Sequence, residues 1–182
     1  MKKVLLLGDS IRLNYMPVVF RELSDAAVVF GPDDNCRYCK YTLWNLDEWM
    51  TEERYDVIHF NCGIWDLTRK QSWNYENFTD AYEYKRDLSK IADALKSVSD
   101  RLIVATTTPV KTDSEFHKNA DILRYNSVLL KMAEEKGIYV DDLFSLINSD
   151  REKYICGDNI HLSKEGIKAA GTQVANAIRK YL

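Results

Sequence analysis

Glycine and proline are scarce in this chain, at 7 and 3 of 182 residues, which excludes a collagen-like or linker-rich protein. No apolar run approaches the roughly 18–20 residues that would cross a bilayer. Basic residues are not in excess: 25 Lys and Arg stand against 28 Asp and Glu, a net charge of −3. That balance argues against a broad electrostatic grip on nucleic acid. The opening MKKVLLLGDS has only four apolar residues, Val4 to Leu7, after its basic pair. A secretory h-region needs about 7–15, so these four read as a buried strand and predict a cytoplasmic protein with no membrane partner.

Cysteine is also thin. Cys36 and Cys39 have the spacing of half a zinc site, but a second close pair is missing, so Cys36, Cys39, Cys62 and Cys156 read as reduced thiols and no metal is expected. What remains, 46% hydrophobic and 29% charged residues over 182 positions, is ordinary for one globular domain spanning 1–182.

Five short apolar runs read as strands: Lys3–Leu7, Ala27–Phe30, Asp56–Asn61, Leu102–Thr107 and Ile138–Val140. They are continuous rather than alternating, the pattern of a parallel sheet covered on both faces. Helical stretches lie between them, at about Pro17–Ser24, Leu43–Glu53, Asn77–Ser99 and Asn119–Lys136, with Gly137 as a stop and a last helix from Ser163 to about Tyr181. This alternation predicts an α/β fold, a three-layer α/β/α sandwich with a five-stranded parallel sheet. Ligand sites in such sheets lie beyond the carboxyl ends of the strands. Attention therefore goes to Gly8-Asp9-Ser10, Gly31–Cys36, Asn61–Asp66 and Thr106–Pro109.

Ser10 at a strand-to-helix turn presents a hydroxyl above the sheet edge, or else Asp9 or Ser10 simply caps the first helix. A serine nucleophile needs a base, and there are three histidines. His59 lies inside the third apolar run and reads as a core residue; His117 sits in the polar stretch Ser114–Lys118 and reads as solvated or capping. His161 differs. Asp158 stands three residues upstream in the turn before the last helix, placed to orient the imidazole and leave its other nitrogen for the nucleophile.

Gly-Asp-Ser after the first strand, Gly-x-x-Asp after the third and Asp-x-x-His before the last helix, in that order, resemble the SGNH (GDSL-type) hydrolases over essentially the whole chain. The resemblance implies a flavodoxin-like SGNH fold, a serine ester hydrolase without cofactor, and Ser10, Asp158 and His161 as catalytic residues. It also implies oxyanion donors from the Ser10 N–H, from Gly31 after the second strand and from an asparagine. That asparagine is replaced here, since the block reads Gly63-Ile64-Trp65-Asp66. Asn61 is taken as the substitute amide ahead of Asn35, and Trp65 as packing. Asp9, Trp65 and Trp73 are the substrate-facing candidates, whereas Tyr82 and Trp49, at helical positions, read as core. A small-molecule ester, with an acetylated carbohydrate foremost, is the expected substrate. A degenerate binding module and a nucleotide or FMN binder are the competing readings, the latter disfavoured by the lack of a glycine-rich phosphate loop.

Overall fold

The structure, a computed structural model, describes residues 1–182. Five parallel strands, β1 (Lys2–Leu7), β2 (Ala27–Phe30), β3 (Val57–Asn61), β4 (Leu102–Ala105) and β5 (Tyr139–Asp141), form one sheet in the order β2-β1-β3-β4-β5. The predicted three-layer sandwich is therefore present. Side chains alternate across the sheet: Val4 and Leu6 enter one core while Leu5 and Leu7 enter the other, and Ile103 and Leu102 divide likewise. Both faces are apolar, which is why the strands read as unbroken hydrophobic runs.

Helices α2 (Cys39–Trp49), α3 (Ala81–Val98) and α4 (Asn119–Lys136) cover one face. Helices α1 (Ser10–Glu22) and α7 (Lys164–Arg179), with the short α5 (Leu143–Asn148) and α6 (Arg151–Tyr154), cover the other. No helix is long and apolar enough to cross a membrane.

Several predicted boundaries move. The helix expected from Pro17 starts instead at Ser10, because the Asp9 carboxylate accepts from the Ile11 N–H at 3.0 Å and caps it there. Pro17 is carried inside α1 on its solvent side. The helix expected from Asn77 starts at Ala81, capped by Asp80. Its first predicted residues are drawn away, since Asn77 bridges to Arg69 and the Phe78 N–H donates to the Thr68 carbonyl at 2.9 Å. Helices α5 and α6 were not predicted; Asp142 and Asp150 cap them.

The pairing of α1 with α7 positions the chemistry described next. A Cβ on Gly171 would lie 2.5 Å from the Val18 Cβ, so α7 approaches α1 at a distance that only the missing methyl permits. Both helices begin at the carboxyl end of the sheet.

Candidate active site

Gly8-Asp9-Ser10 turns directly from β1 into α1. A Cβ on Gly8 would fall 2.0 Å from Asn61 Oδ1, so the turn closes over the end of β3 only with glycine there. Ser10 is the first residue of α1, and its N–H is among those a helix leaves without an internal partner.

The opposite side of the site comes from the loop before α7. An isolated antiparallel bridge, Ile155 to Leu162, pinches that loop, and the Cys156 N–H donates to the His161 carbonyl at 2.8 Å. Asn159 takes a left-handed conformation, φ 78°, which asparagine tolerates, and its amide pairs with Thr112 through Oδ1 and Nδ2. Leu162 donates to Asn14 Oδ1 on α1 at 3.4 Å.

His161 thereby reaches Ser10. Its Nε2 lies 2.9 Å from Ser10 Oγ, and its Nδ1 lies 2.6 Å from Asp158 Oδ2. An ionised carboxylate only accepts, so Nδ1 carries the hydrogen and Nε2 offers its lone pair to the serine hydroxyl. Partial burial pulls the Asp158 carboxyl upward, but the Cys156 thiol, the Ile160 and His161 N–H groups and the His161 ring outweigh it. Together they hold the carboxyl well below the usual carboxylate range.

Ser10 and His161 open onto a cleft of about 460 Å³. Tyr38, Ile64, Trp65, Trp73, Phe78 and Ile160 give it an aromatic and aliphatic lining; Thr68, Lys70 and His117 supply polar groups. The Trp73 and Phe78 rings pack at 4.8 Å between centroids, Phe78 and Tyr38 at 4.9 Å, and the Lys70 ammonium stands 5.0 Å over Trp73. A larger concavity of about 850 Å³ lies along α7 and the end of β5, and includes none of these residues.

Trp65 and Trp73 thus border the cleft, and Trp65 is 40% exposed rather than packed in the core. Asp9 does not border it. Its carboxylate is buried, hydrogen-bonded to the Ile11 N–H and to Asn61; burial pushes its pKa up against those bonds, so it is no substrate contact. Asn61 lies under the Gly8 turn, where its Oδ1 also accepts from the Tyr15 hydroxyl at 3.4 Å. Gly31 packs against the Leu6 carbonyl and the Met16 sulfur. Neither Gly31 nor Asn61 borders the cleft.

His59 is buried as predicted, with Nε2 3.0 Å from Asp141 Oδ2 and Nδ1 unpartnered. His117 departs from its reading, because it is buried at the cleft wall rather than solvated. Tyr82 is 78% exposed: the buried stripe of α3 runs through Tyr84, Leu88 and Ile91, and Tyr82 falls on the opposite face.

Two features escaped the sequence reading. Arg12 is fully buried under the Gly8 turn. The Cys-x-x-Cys pair is split: Cys36 Sγ accepts from the Gly8 N–H at 3.3 Å, while Cys39 Sγ meets Cys62 Sγ at 3.1 Å. Cys39, Cys62 and Asp66 place three ligand-type atoms within 4.8 Å of one another. The Asp66 carboxylate is already engaged, by the Cys39 N–H at 3.1 Å and the Cys62 thiol at 3.4 Å. It serves α2 as a cap from across the fold, since the cap residue Tyr38 makes no such bond.

The strand order and the two helical layers define a flavodoxin-like α/β fold. No family model and no curated protein matches the sequence. Among solved structures, the lipase/acylhydrolase from Enterococcus faecalis shares 18% identity, covers 99% of this chain and 96% of its own, and superposes with a TM-score of 0.79. Axe2, an acetylxylan esterase from Geobacillus stearothermophilus, shares 17% over 97% and 94%, with a TM-score of 0.82. A GDSL-like lipase from Bacteroides thetaiotaomicron shares 15% over 100% and 89%, with a TM-score of 0.80. At such identities the shared property is the fold.

Proposed function

We propose that this chain is an ester hydrolase of the SGNH type, with Ser10 as nucleophile, His161 as general base and Asp158 as its orienting carboxylate. The observation that carries the reading is the unbroken chain Asp158–His161–Ser10, at 2.6 and 2.9 Å, opening onto a cleft. The fold shared with lipases, acylhydrolases and acetylxylan esterases supports it.

In this mechanism His161 Nε2 takes the Ser10 proton as Oγ attacks the ester carbonyl carbon. The carbonyl oxygen becomes an oxyanion, received by the Ser10 N–H at the positive end of α1. Of the other donors considered, only the Trp65 indole shares the cleft with Ser10, and we assign it the second place. Collapse breaks the bond to the alcohol oxygen, which takes the proton from His161 and leaves. Water then gives a proton to His161, attacks the acyl-enzyme and releases the acid with Ser10 restored. The lined volume suits a short acyl group on a compact alcohol, and the aromatic wall favours an acetylated carbohydrate.

The test is covalent labelling with a fluorophosphonate, which modifies only an activated serine. Wild-type protein should gain one adduct, located at Ser10 by peptide mass, and should hydrolyse p-nitrophenyl acetate. Ser10→Ala should do neither while melting within a few degrees of wild type. Equal hydrolysis by Ser10→Ala would remove the reading.

A further inference from the structure

The mechanism leaves one titratable side chain of the cleft idle. His117, in the loop between β4 and α4, is only 9% exposed and borders the cleft beside Thr68 and Lys70. Its Nε2 lies 2.9 Å from Thr68 Oγ1. Counting protons fixes the direction of that bond. Thr68 has a single hydroxyl proton, and it goes to the Ile64 carbonyl at 2.8 Å. Thr68 Oγ1 can then only accept, so Nε2 carries the hydrogen.

Burial disfavours the imidazolium and lowers the His117 pKa. In the neutral ring Nδ1 is therefore a bare lone pair. It has no hydrogen-bond partner in the protein, yet it is not among the buried side-chain atoms sealed off without one, which are His59 Nδ1, Arg69 Nε and Asp121 Oδ2. Nδ1 consequently opens to solvent, and the cleft is the opening that His117 borders.

We propose that His117 Nδ1 is the acceptor for a hydroxyl on the alcohol half of the ester, making His117 a specificity-determining residue for a polyhydroxylated ring. This rests on the ester-hydrolase reading above. The surroundings match such a ring: Trp73 and Phe78, tilted by 37°, offer apolar surface to its C–H face, and His117 belongs to the same lining. A largely buried acceptor discriminates sharply, because a ligand without a donor strips it of water and returns nothing. Thr68 holds the tautomer, and Phe116 and His117 are tied in turn by the Ser114 hydroxyl, which accepts from both N–H groups.

The experiment compares two acetyl esters, p-nitrophenyl acetate and a mono-acetylated methyl pyranoside, in wild type, His117→Phe and His117→Gln. Phenylalanine keeps a ring but accepts nothing; glutamine keeps an acceptor. On the pyranoside, His117→Phe should lose about tenfold in kcat/KM through KM, the worth of one hydrogen bond, and His117→Gln should recover most of it. Both variants should stay within about twofold of wild type on p-nitrophenyl acetate. Equal losses on the two esters would mean a merely structural histidine, and no loss on the pyranoside would overturn the assignment. Should His117→Phe fail to fold, Thr68→Val frees the same ring and must lower the pyranoside rate alone. If wild type cleaves p-nitrophenyl acetate but none of these differences appears, this inference fails while the hydrolase reading stands. If wild type cleaves neither ester and Ser10 takes no label, both fall.

Discussion

Arg12 and Gly8 are joined twice: the guanidinium Nε and Nη2 both donate to the Gly8 carbonyl, at 3.4 and 3.3 Å. The same group donates to the Pro32 carbonyl at 2.6 Å and the Asp34 carbonyl at 2.7 Å. One buried cation thus ties the nucleophile turn to the loop that carries Tyr38 into the cleft. Arg12→Met would leave the Pro32 and Asp34 carbonyls without their donor, the Gly8 carbonyl keeping the Cys36 N–H at 3.1 Å, each loss costing about 1–3 kcal/mol. The expected loss is on the order of 3 kcal/mol, or a Tm lower by roughly 6–12 °C for a chain of this size. A thermal melt within about 2 °C of wild type would refute the anchor.

Trp65→Phe removes one N–H and keeps an aromatic wall. If the indole receives the oxyanion, turnover should fall at least ~10-fold with KM little changed, because that charge exists only in the transition state. Steady-state kinetics decide it. A silent Trp65→Phe would return the duty to backbone N–H groups.

Asn61→Ala makes the complementary test. Its amide supports buried Asp9 and receives the Tyr15 hydroxyl, so the variant should lose stability by about 1–3 kcal/mol, the cost of orphaned buried polar groups. A melt unchanged from wild type, combined with a collapse in turnover, would place Asn61 in the oxyanion site instead.

Asp66 gives a pH signature. Burial raises its carboxyl to about 6 against the hydrogen bonds from Thr79, Cys62 and Cys39, whereas the ordinary value is 3.8. Between those values the folded chain holds a proton that the unfolded chain has released, so this contribution is full below 3.8 and is lost as pH rises through 6. Measured against Asp66→Asn, which has no such proton, wild type should lose about 3 kcal/mol of relative stability from pH 3.5 to 7. Denaturant melts across that range test it, and a constant difference contradicts it.

Asp158 behaves in the opposite sense. Its lowered pKa means that it is ionised at neutral and mildly acid pH, so its support fades only in strong acid. The acid side of the rate profile should therefore carry no step from Asp158. A rate flat from pH 5 to 9 contradicts a histidine base, and Asp158→Asn should lower kcat at least ~100-fold by releasing the tautomer.

How far such a site can be read from sequence depends on what orients each residue. Ser10, Asp158 and His161 were legible because each lies in a short turn whose place relative to a strand or helix is set locally. Asn61 was not, because its direction depends on strand parity. Counting from His59, it shares the pleat that faces α1 and Tyr15, and so falls behind the nucleophile. His117 had no local signal, since its partner Thr68 is 49 residues away. The caps of α5 and α6 were readable, in Asp142 and Asp150 with their acceptor bonds three residues on, and the strand pattern masked them. The layering was legible in the alternation of strands and helices, which is why the three-layer architecture survived every shifted boundary; the strand order was not.

The contact at Gly171 gives this fold a remote tolerance limit. Ser10 opens α1 and His161 lies in the loop that leads into α7, and one absent methyl sets the gap between those two rods. A side chain there would act as a shim, prising α7 from Val18 and carrying the displacement through a close-packed interior to the loop that aims His161. Misplacement of about an ångström is enough to cost ~10²-fold in rate. A residue able to shift Ser10 against His161 without bordering the cleft therefore sits on the buried seam between the two terminal helices, where a stability screen would see only a crowded core.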